Sequence, residues 1–226
     1  MSVRRRHRWE RDRLASGLYA AGAARPWLGR PLARLLWHAD VRGFYGERRR
    51  LRELSGRSAV LDVPCGAGAL FPVRAPPTRP EPCYVALDIS DLMLARARRA
   101  AAACGLERVQ LVQADAQHLP FVSGAFDLVV THNGLHCYPE PPRAVRELAR
   151  VLSPGGEVRG SAIVAGAGRW PDLMIGAALR LGMFQSRLGP GEVAAWLGAA
   201  GLEEVRVEPS GAVSFFSARR ATGGEG

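Results

Sequence analysis

The stretch Val60-Leu-Asp-Val-Pro-Cys-Gly-Ala-Gly68 decides the reading of this chain. An apolar run ends in an acid, Asp62, and opens into a glycine-rich turn, the pattern of a buried strand that delivers a ligand-binding loop. Gly66 and Gly68 leave room for a ligand to approach the backbone, which a side chain at either position would block. A dinucleotide loop follows G-x-G-x-x-G and aims backbone N–H groups at a pyrophosphate. Here the third glycine of that pattern falls on Phe71. A carboxylate at the entrance of the loop also repels phosphate and suits a cationic group.

The same strand-then-acid logic recurs downstream. Tyr84-Val-Ala-Leu-Asp88 is a short apolar run ending in an acid, and such an acid can accept hydrogen bonds from both hydroxyls of a ribose. Val109 to Asp115-Ala116 repeats the pattern, and Phe126 to Thr131 is a fourth buried-strand run. Ser90 is placed to cap a helix over Asp91 to Cys104, closed by Gly105. Pro141 and Pro142 suit the first turn of another helix, with Val145, Leu148, Ala149 and Leu152 as one apolar stripe. Ser153-Pro-Gly-Gly156 then turns the chain into a fifth strand, Glu157 to Val164. Helices over Trp170 to Phe184 and Glu192 to Ala200 follow, with Trp196 and Leu197 facing inward. Strands over Glu203 to Glu208 and Val213 to Ala218 complete the series. Alternating strands and helices predict an α/β fold, a mostly parallel sheet with helices on both faces.

The ordered set VLDVPCGAG, VALDIS, QADAQHLPF, FDLVVTHNGLH and RAVRELARVLSPGGEV resembles a class I S-adenosylmethionine-dependent methyltransferase over roughly residues 55 to 220. Within that superfamily it is most similar to the ubiquinone and menaquinone biosynthesis enzymes and other small-molecule methyltransferases. The resemblance implies a Rossmann-like seven-stranded sheet whose seventh strand is antiparallel, and S-adenosylmethionine as the cofactor. It places Asp62, Gly66 and Gly68 around the methionine moiety, with Pro64, Cys65 and Asn133 in the same cofactor site. Asp88 takes the ribose, Ile89 and Leu92 or Met93 pack on adenine, and Asp115 with Ala116 reads the adenine edge. Two departures stand out. Pro64 occupies the position of a first glycine in many relatives. The prolines between Leu70 and Cys83 allow little more than one helical turn after the loop.

Size and composition bound the rest. A chain of 226 residues, 47% hydrophobic, suffices for one α/β domain with an extension. It carries no uncharged apolar run of the roughly 18 residues that span a bilayer, and no secretory pattern at its start. Cys65, Cys83, Cys104 and Cys137 lack metal or disulfide spacing, which points to reduced thiols and a cytosolic location. All 31 basic residues are arginine; residues 1 to 57 hold 15 of them against 5 acids, so the whole net charge of +10 lies there. This segment reads as two or three helices, the last over Val41 to Leu54, forming a basic cap or lid over residues 1–54. A methyltransferase domain over 55–220 and a disordered tail over 221–226 follow. The cap's arginines could attract an anionic acceptor or an anionic membrane surface.

The acceptor pocket is expected after the fourth strand, beyond the carboxyl ends of the sheet. An acceptor oxygen or carbon must lose a proton, and His136 is the first candidate base with His132 second. His136 also fits a structural role beneath the cofactor. Tyr19, Phe44 and Tyr45 are placed to wall the pocket. The stretch Asn133-Gly-Leu-His136 differs from the sequence of exocyclic-amine base methylases and lacks the paired glutamates of arginine methylases. Only Asp127 and Glu140 stand near enough to concern a magnesium ion, so no metal is expected. A small, partly apolar acceptor methylated on oxygen or carbon remains, whether secondary metabolite, quinone or lipid-like molecule. Two other classes stay open: an RNA methyltransferase using the basic segment, although nucleic acid is the less expected partner, and a protein that binds the cofactor without transferring methyl.

Overall fold

The central strands of this chain are apolar on both sides, and the structure, a computed structural model, shows where each side goes. It describes residues 22–23, 25–54, 56–71, 82–106 and 108–223. The part of the expected cap before residue 22, with Tyr19, lies outside them, as do residues 72–81 and the end of the expected tail, 224–226. Strands β1 (Ala59–Asp62), β2 (Cys83–Asp88), β3 (Val109–Gln113), β4 (Phe126–His132), β5 (Leu152–Ile163), β6 (Leu202–Ser210) and β7 (Val213–Arg220) form one sheet in the order β3-β2-β1-β4-β5-β7-β6. The first five run parallel, and β7 lies antiparallel between β5 and β6.

Alternate residues feed two cores. Leu61, Val85, Leu87 and Val129 pack on one face with Val145 and Leu148 of α4 (Pro141–Val151) and Leu197 of α6 (Glu192–Ala199). Val60, Tyr84, Ala86, Leu128 and Val130 pack on the other, with Leu51 of α2 (Arg42–Arg52) and Leu94 and Ala97 of α3 (Asp91–Ala103). A strand covered on both faces has no polar side to alternate with, which is why these runs read as continuously hydrophobic. Local signals end the helices as expected: the Ser90 hydroxyl accepts from the Met93 N–H at 3.3 Å, and Gly105 turns the chain at φ +69.

Two details differ from expectation. Ser153 to Gly156 do not precede the fifth strand but form an irregularity within it: Phe126 pairs with Leu152 and Leu128 with Glu157, so the intervening residues bulge while the ladder continues. Gly68, at φ +78, is needed for packing, since a Cβ there would lie 2.6 Å from the Phe71 ring and 3.2 Å from Ala100. It does not line the cavity described below, whereas a Cβ on Gly66 would meet no protein atom and enter open space.

The helices before β1, α1 (Pro26–Trp37) and α2, are fastened to the far end of the chain. The Ala212 N–H donates to the Trp37 carbonyl at 2.8 Å, and the Asp40 N–H donates to the Ser210 hydroxyl at 2.8 Å. Glu47, buried on α2, pairs with Arg159 of β5 at 3.3 Å. Helix α5 (Arg169–Arg180), inserted between β5 and α6, packs beside α1.

Gly68→Ala is expected to lower stability by about 1–3 kcal/mol through the forced clash and the left-handed backbone. Gly66→Ala, at φ +53 with open space around it, incurs only backbone strain of about 1 kcal/mol. Urea unfolding of the two variants checks the contrast.

Candidate functional site

Crossovers leave β1 toward β2 and β3 on one side and toward β4 and β5 on the other, so the sheet reverses direction between β1 and β4. The carboxyl ends of those strands border a crevice, the usual ligand position in such sheets. Three backbone bonds hold the glycine-rich loop there. Val63 N–H donates to the Val130 carbonyl, Cys65 N–H to the Leu87 carbonyl, and Gly66 N–H to Asp88 Oδ2, each at 2.9 Å. The other Asp88 oxygen accepts from the Ser90 N–H at 2.9 Å, so this one carboxylate ties the loop to the start of α3. Gly134 is required opposite the loop, because a Cβ there would strike the Pro64 ring.

Asp62 is treated differently. It is 1% exposed, and Oδ2 accepts from the Tyr84 hydroxyl at 2.9 Å, while Oδ1 is buried with no hydrogen-bond partner. Burial pushes its pKa up to about 8; the Tyr84 hydrogen bond opposes this and the nearby Asp88 charge adds to it. The adjacent Cys65 thiol is raised well above its usual range, by burial first and then by Asp62 and Asp88, which removes it as a nucleophile at neutral pH.

Across the crevice stand the two histidines, both pushed down to about 3 by burial. Their hydrogen bonds assign them opposite proton positions. His132 pairs directly across the ladder with Ser161, and its Nδ1 lies 3.0 Å from the Ser161 hydroxyl. With that hydroxyl donating to Asn133 Oδ1 at 3.4 Å, the consistent tautomer donates from Nδ1 and leaves the lone pair on Nε2, which is buried without a partner. His136 Nδ1 instead accepts the Ile163 N–H at 3.2 Å, which leaves the proton of the neutral ring on Nε2. His136 is therefore placed as a donor, which counts against it as the first candidate base.

One cavity of about 1340 Å³ joins these groups. That exceeds the roughly 300–1,000 Å³ of a pocket for one drug-sized ligand. Asp62, Pro64, Cys65, Gly66, Asp88 and Ile89 line it, as do Met93, Asp115 and Ala116 and, at the β4 end, His132, Asn133 and His136. Apolar side chains close the remaining side: Leu32 and Leu36 from α1, Phe44 from α2, and Met174 and Leu181 from α5. The Phe44 ring meets His132 edge-on at 5.3 Å, and Phe184 lies 4.2 Å from His136. Tyr45 lines the cavity too, its hydroxyl donating to the Gly22 carbonyl at 2.9 Å. Sequence reasoning missed Tyr84, Ser161 and Gly134. Each acts through a residue distant in sequence, and only the cross-strand register brings them to the site.

A glycine-rich loop after β1, acids closing β1 and β2, and a crevice at the reversal of a doubly wound sheet define the class of Rossmann-like nucleotide-cofactor proteins. Residues 60–156 match the sequence model of a methyltransferase domain. The demethylmenaquinone methyltransferase of Thermus thermophilus is 41% identical over 134 residues, 56% of this chain and 57% of that protein. The enzyme of the same name from Bacillus cytotoxicus is 35% identical over 112 residues, 50% of this chain and 47% of that protein. Among solved structures, Haemonchus contortus phosphoethanolamine N-methyltransferase 2 in complex with S-adenosyl-L-methionine shares the fold, with a TM-score of 0.65 and 15% identity over 78% of this chain and 52% of that one. Over about half its length the chain is thus similar to demethylmenaquinone methyltransferases, and residues 60–156 carry the pattern of a methyltransferase domain. It spans about half the length of the curated relatives it matches.

The raised pKa of Asp62 makes a signed statement about stability. The folded value of about 8 lies above the unfolded value of 3.8, so the unfolded state binds fewer protons between them and stability falls as pH rises through that window. The buried histidines act oppositely, losing stability as pH falls from 6.5 toward about 3. Asp62→Asn removes only the first effect. The thermal midpoint of the variant relative to the parent is expected to climb steadily from pH 4 to pH 8, measured by calorimetry at matched ionic strength.

Proposed function

We propose that the protein transfers a methyl group from S-adenosylmethionine to a small, largely apolar acceptor with an ionisable hydroxyl, of the quinol or phenol type. One observation carries this reading: Asp62 and His132, on neighbouring strands, both line one cavity, and each holds a buried polar atom without a partner, Asp62 Oδ1 and His132 Nε2. The first is an acceptor suited to a cationic donor, and the second is a neutral imidazole lone pair that can accept from an acceptor hydroxyl.

The residues present fit S-adenosylmethionine. Asp62 Oδ1 would accept from its ammonium group, which would restore the ionised form of the carboxylate. Asp88 has about four acceptor positions as a carboxylate, so it can take ribose hydroxyls as well as the two amides it already holds. Ile89 and Met93 would flank the adenine, and Asp115, held by the Gln117 N–H at 2.9 Å, would meet its edge with Ala116. The bound cofactor supplies a methyl group already activated on a sulfonium, so catalysis is mainly alignment and exclusion of water.

The chain's own residues handle the acceptor. His132 takes the hydroxyl proton at Nε2, and the charge that then forms on the ring is held through Nδ1 by Ser161 and Asn133. His136 offers a fixed N–H donor beside it. Phe44 keeps water from the face of His132, and the apolar walls from α1, α2 and α5 favour a small organic acceptor over a nucleic acid. The named relatives act on a demethylmenaquinone, which agrees with an acceptor of this chemistry. The four cysteines are free thiols, which suits action in a reducing cytosol.

His132→Ala is expected to lower kcat by about 10²- to 10⁴-fold while leaving S-adenosylmethionine affinity within about twofold. His136→Ala should lose less turnover, in step with its melting temperature. The activity itself is tested with labelled S-adenosylmethionine and a panel of quinols and phenols. Calorimetric binding of the cofactor with no label passed to any of them would replace transfer by cofactor binding alone, and absence of cofactor binding would reject the site.

A further inference from the structure

Seven large hydrophobic side chains are exposed among the described residues, and six of them gather on two adjacent helices. Trp27 is 73% exposed and Leu35 64% on α1, with Leu32 beside them; Leu173 is 53% exposed and Trp170 44% on α5, with Leu181 at its end. The Trp170 indole donates to the Leu35 carbonyl at 2.9 Å, which binds the two helices into one surface. Single exposed apolar residues are ordinary, whereas a cluster of this kind marks a site of contact.

The surrounding charge selects the partner. Residues 25–37 contain Arg25, Arg30 and Arg34 and no acid. Residues 169–181 contain Arg169 and Arg180 with a single acid, Asp172, which is already paired with Arg187 at 3.5 Å. Tryptophan and leucine ringed by arginine match the boundary of an anionic bilayer, where indoles and aliphatic chains enter the acyl edge and guanidinium groups meet lipid phosphates. Both helices have 12 residues, and no described helix is long and apolar enough to cross a membrane, so the geometry is one of lying on the surface. Leu32 and Leu181 belong to both places, exposed on this face and lining the cavity.

We infer that the α1–α5 face docks on an anionic membrane surface, and that an apolar acceptor enters the cavity from the lipid between Leu32 and Leu181. The docking stands by itself; the entry route rests on the proposed methyl transfer.

The test is co-sedimentation of the full chain with phosphatidylcholine vesicles, with and without phosphatidylglycerol. Binding is expected only with phosphatidylglycerol and should weaken about tenfold between about 50 and 200 mM salt. Leu35→Glu combined with Leu173→Glu should cut it by about tenfold or more. Both side chains are more than half exposed and neither lines the cavity, so calorimetric affinity for S-adenosylmethionine should be unchanged and reports that the variant is folded. Equal sedimentation of variant and parent would overturn the proposal, as would sedimentation indifferent to phosphatidylglycerol. A dimer in analytical ultracentrifugation that the double variant dissolves, with no vesicle binding by the parent, would instead assign the face to a second copy of the chain. Failure of the parent to bind S-adenosylmethionine would remove the methyl-transfer reading and leave the vesicle result to be judged by itself.

Discussion

A carboxylate buried with one donor where it could use several is the constraint around which this site is arranged. Asp62 and Asp88 end neighbouring strands, β1 and β2, and the same local pattern produces both. Their surroundings nevertheless diverge. Asp88 receives two backbone amides and becomes a structural clasp between loop and helix. Asp62 receives only the Tyr84 hydroxyl, and its second oxygen is left buried and bare. Taking such a group out of water is costly unless a donor arrives, and that cost is what raises the Asp62 pKa to about 8. The Gly66 amide goes to Asp88 and those of Val63 and Cys65 go to strand carbonyls, so these three donors are committed elsewhere.

Much of the fold was legible because it is written locally. Two-sided strands, the Ser90 cap, the Gly105 turn and the prolines opening α4 each depend on a few adjacent residues. What escaped depends on pairing across the sheet. The Asn133-Gly-Leu-His136 stretch contains no sign that the Ile163 amide will occupy Nδ1 of His136, or that Ser161 will sit opposite His132. Those two contacts, from residues 27 and 29 positions away, decide which ring is a base and which a donor. The Ser-Pro-Gly-Gly turn misled for a related reason, since a turn signal and a bulge signal are the same residues until a partner strand fixes the register.

The leucines of α1 show a different limit. Leu32, Leu35 and Leu36 fall at helical spacing, which marks one apolar face without saying what meets it. In the structure Leu36 turns to the cavity, Leu35 to solvent, and Leu32 borders both. A stripe of this kind reads as core in a sequence, and only the folded arrangement shows that part of it stays exposed.

The hydrogen bonds that join the α1–α2 connection to the turn between β6 and β7 bear on how the molecule assembles. Asp40 and Ser210 are 170 residues apart, close to the whole length of the described chain. Contacts of such separation are entropically expensive to close and tend to form late. The loop, β1, β2 and α3 need only the middle of the sequence, so the half of the cavity beneath Asp62 and Asp88 can take shape during synthesis. The apolar half must wait for the last hairpin to leave the ribosome. Until then Leu36 and Phe44 lack the cover they have in the finished fold, and transiently exposed apolar surface of that kind is where a folding chain is prone to aggregate.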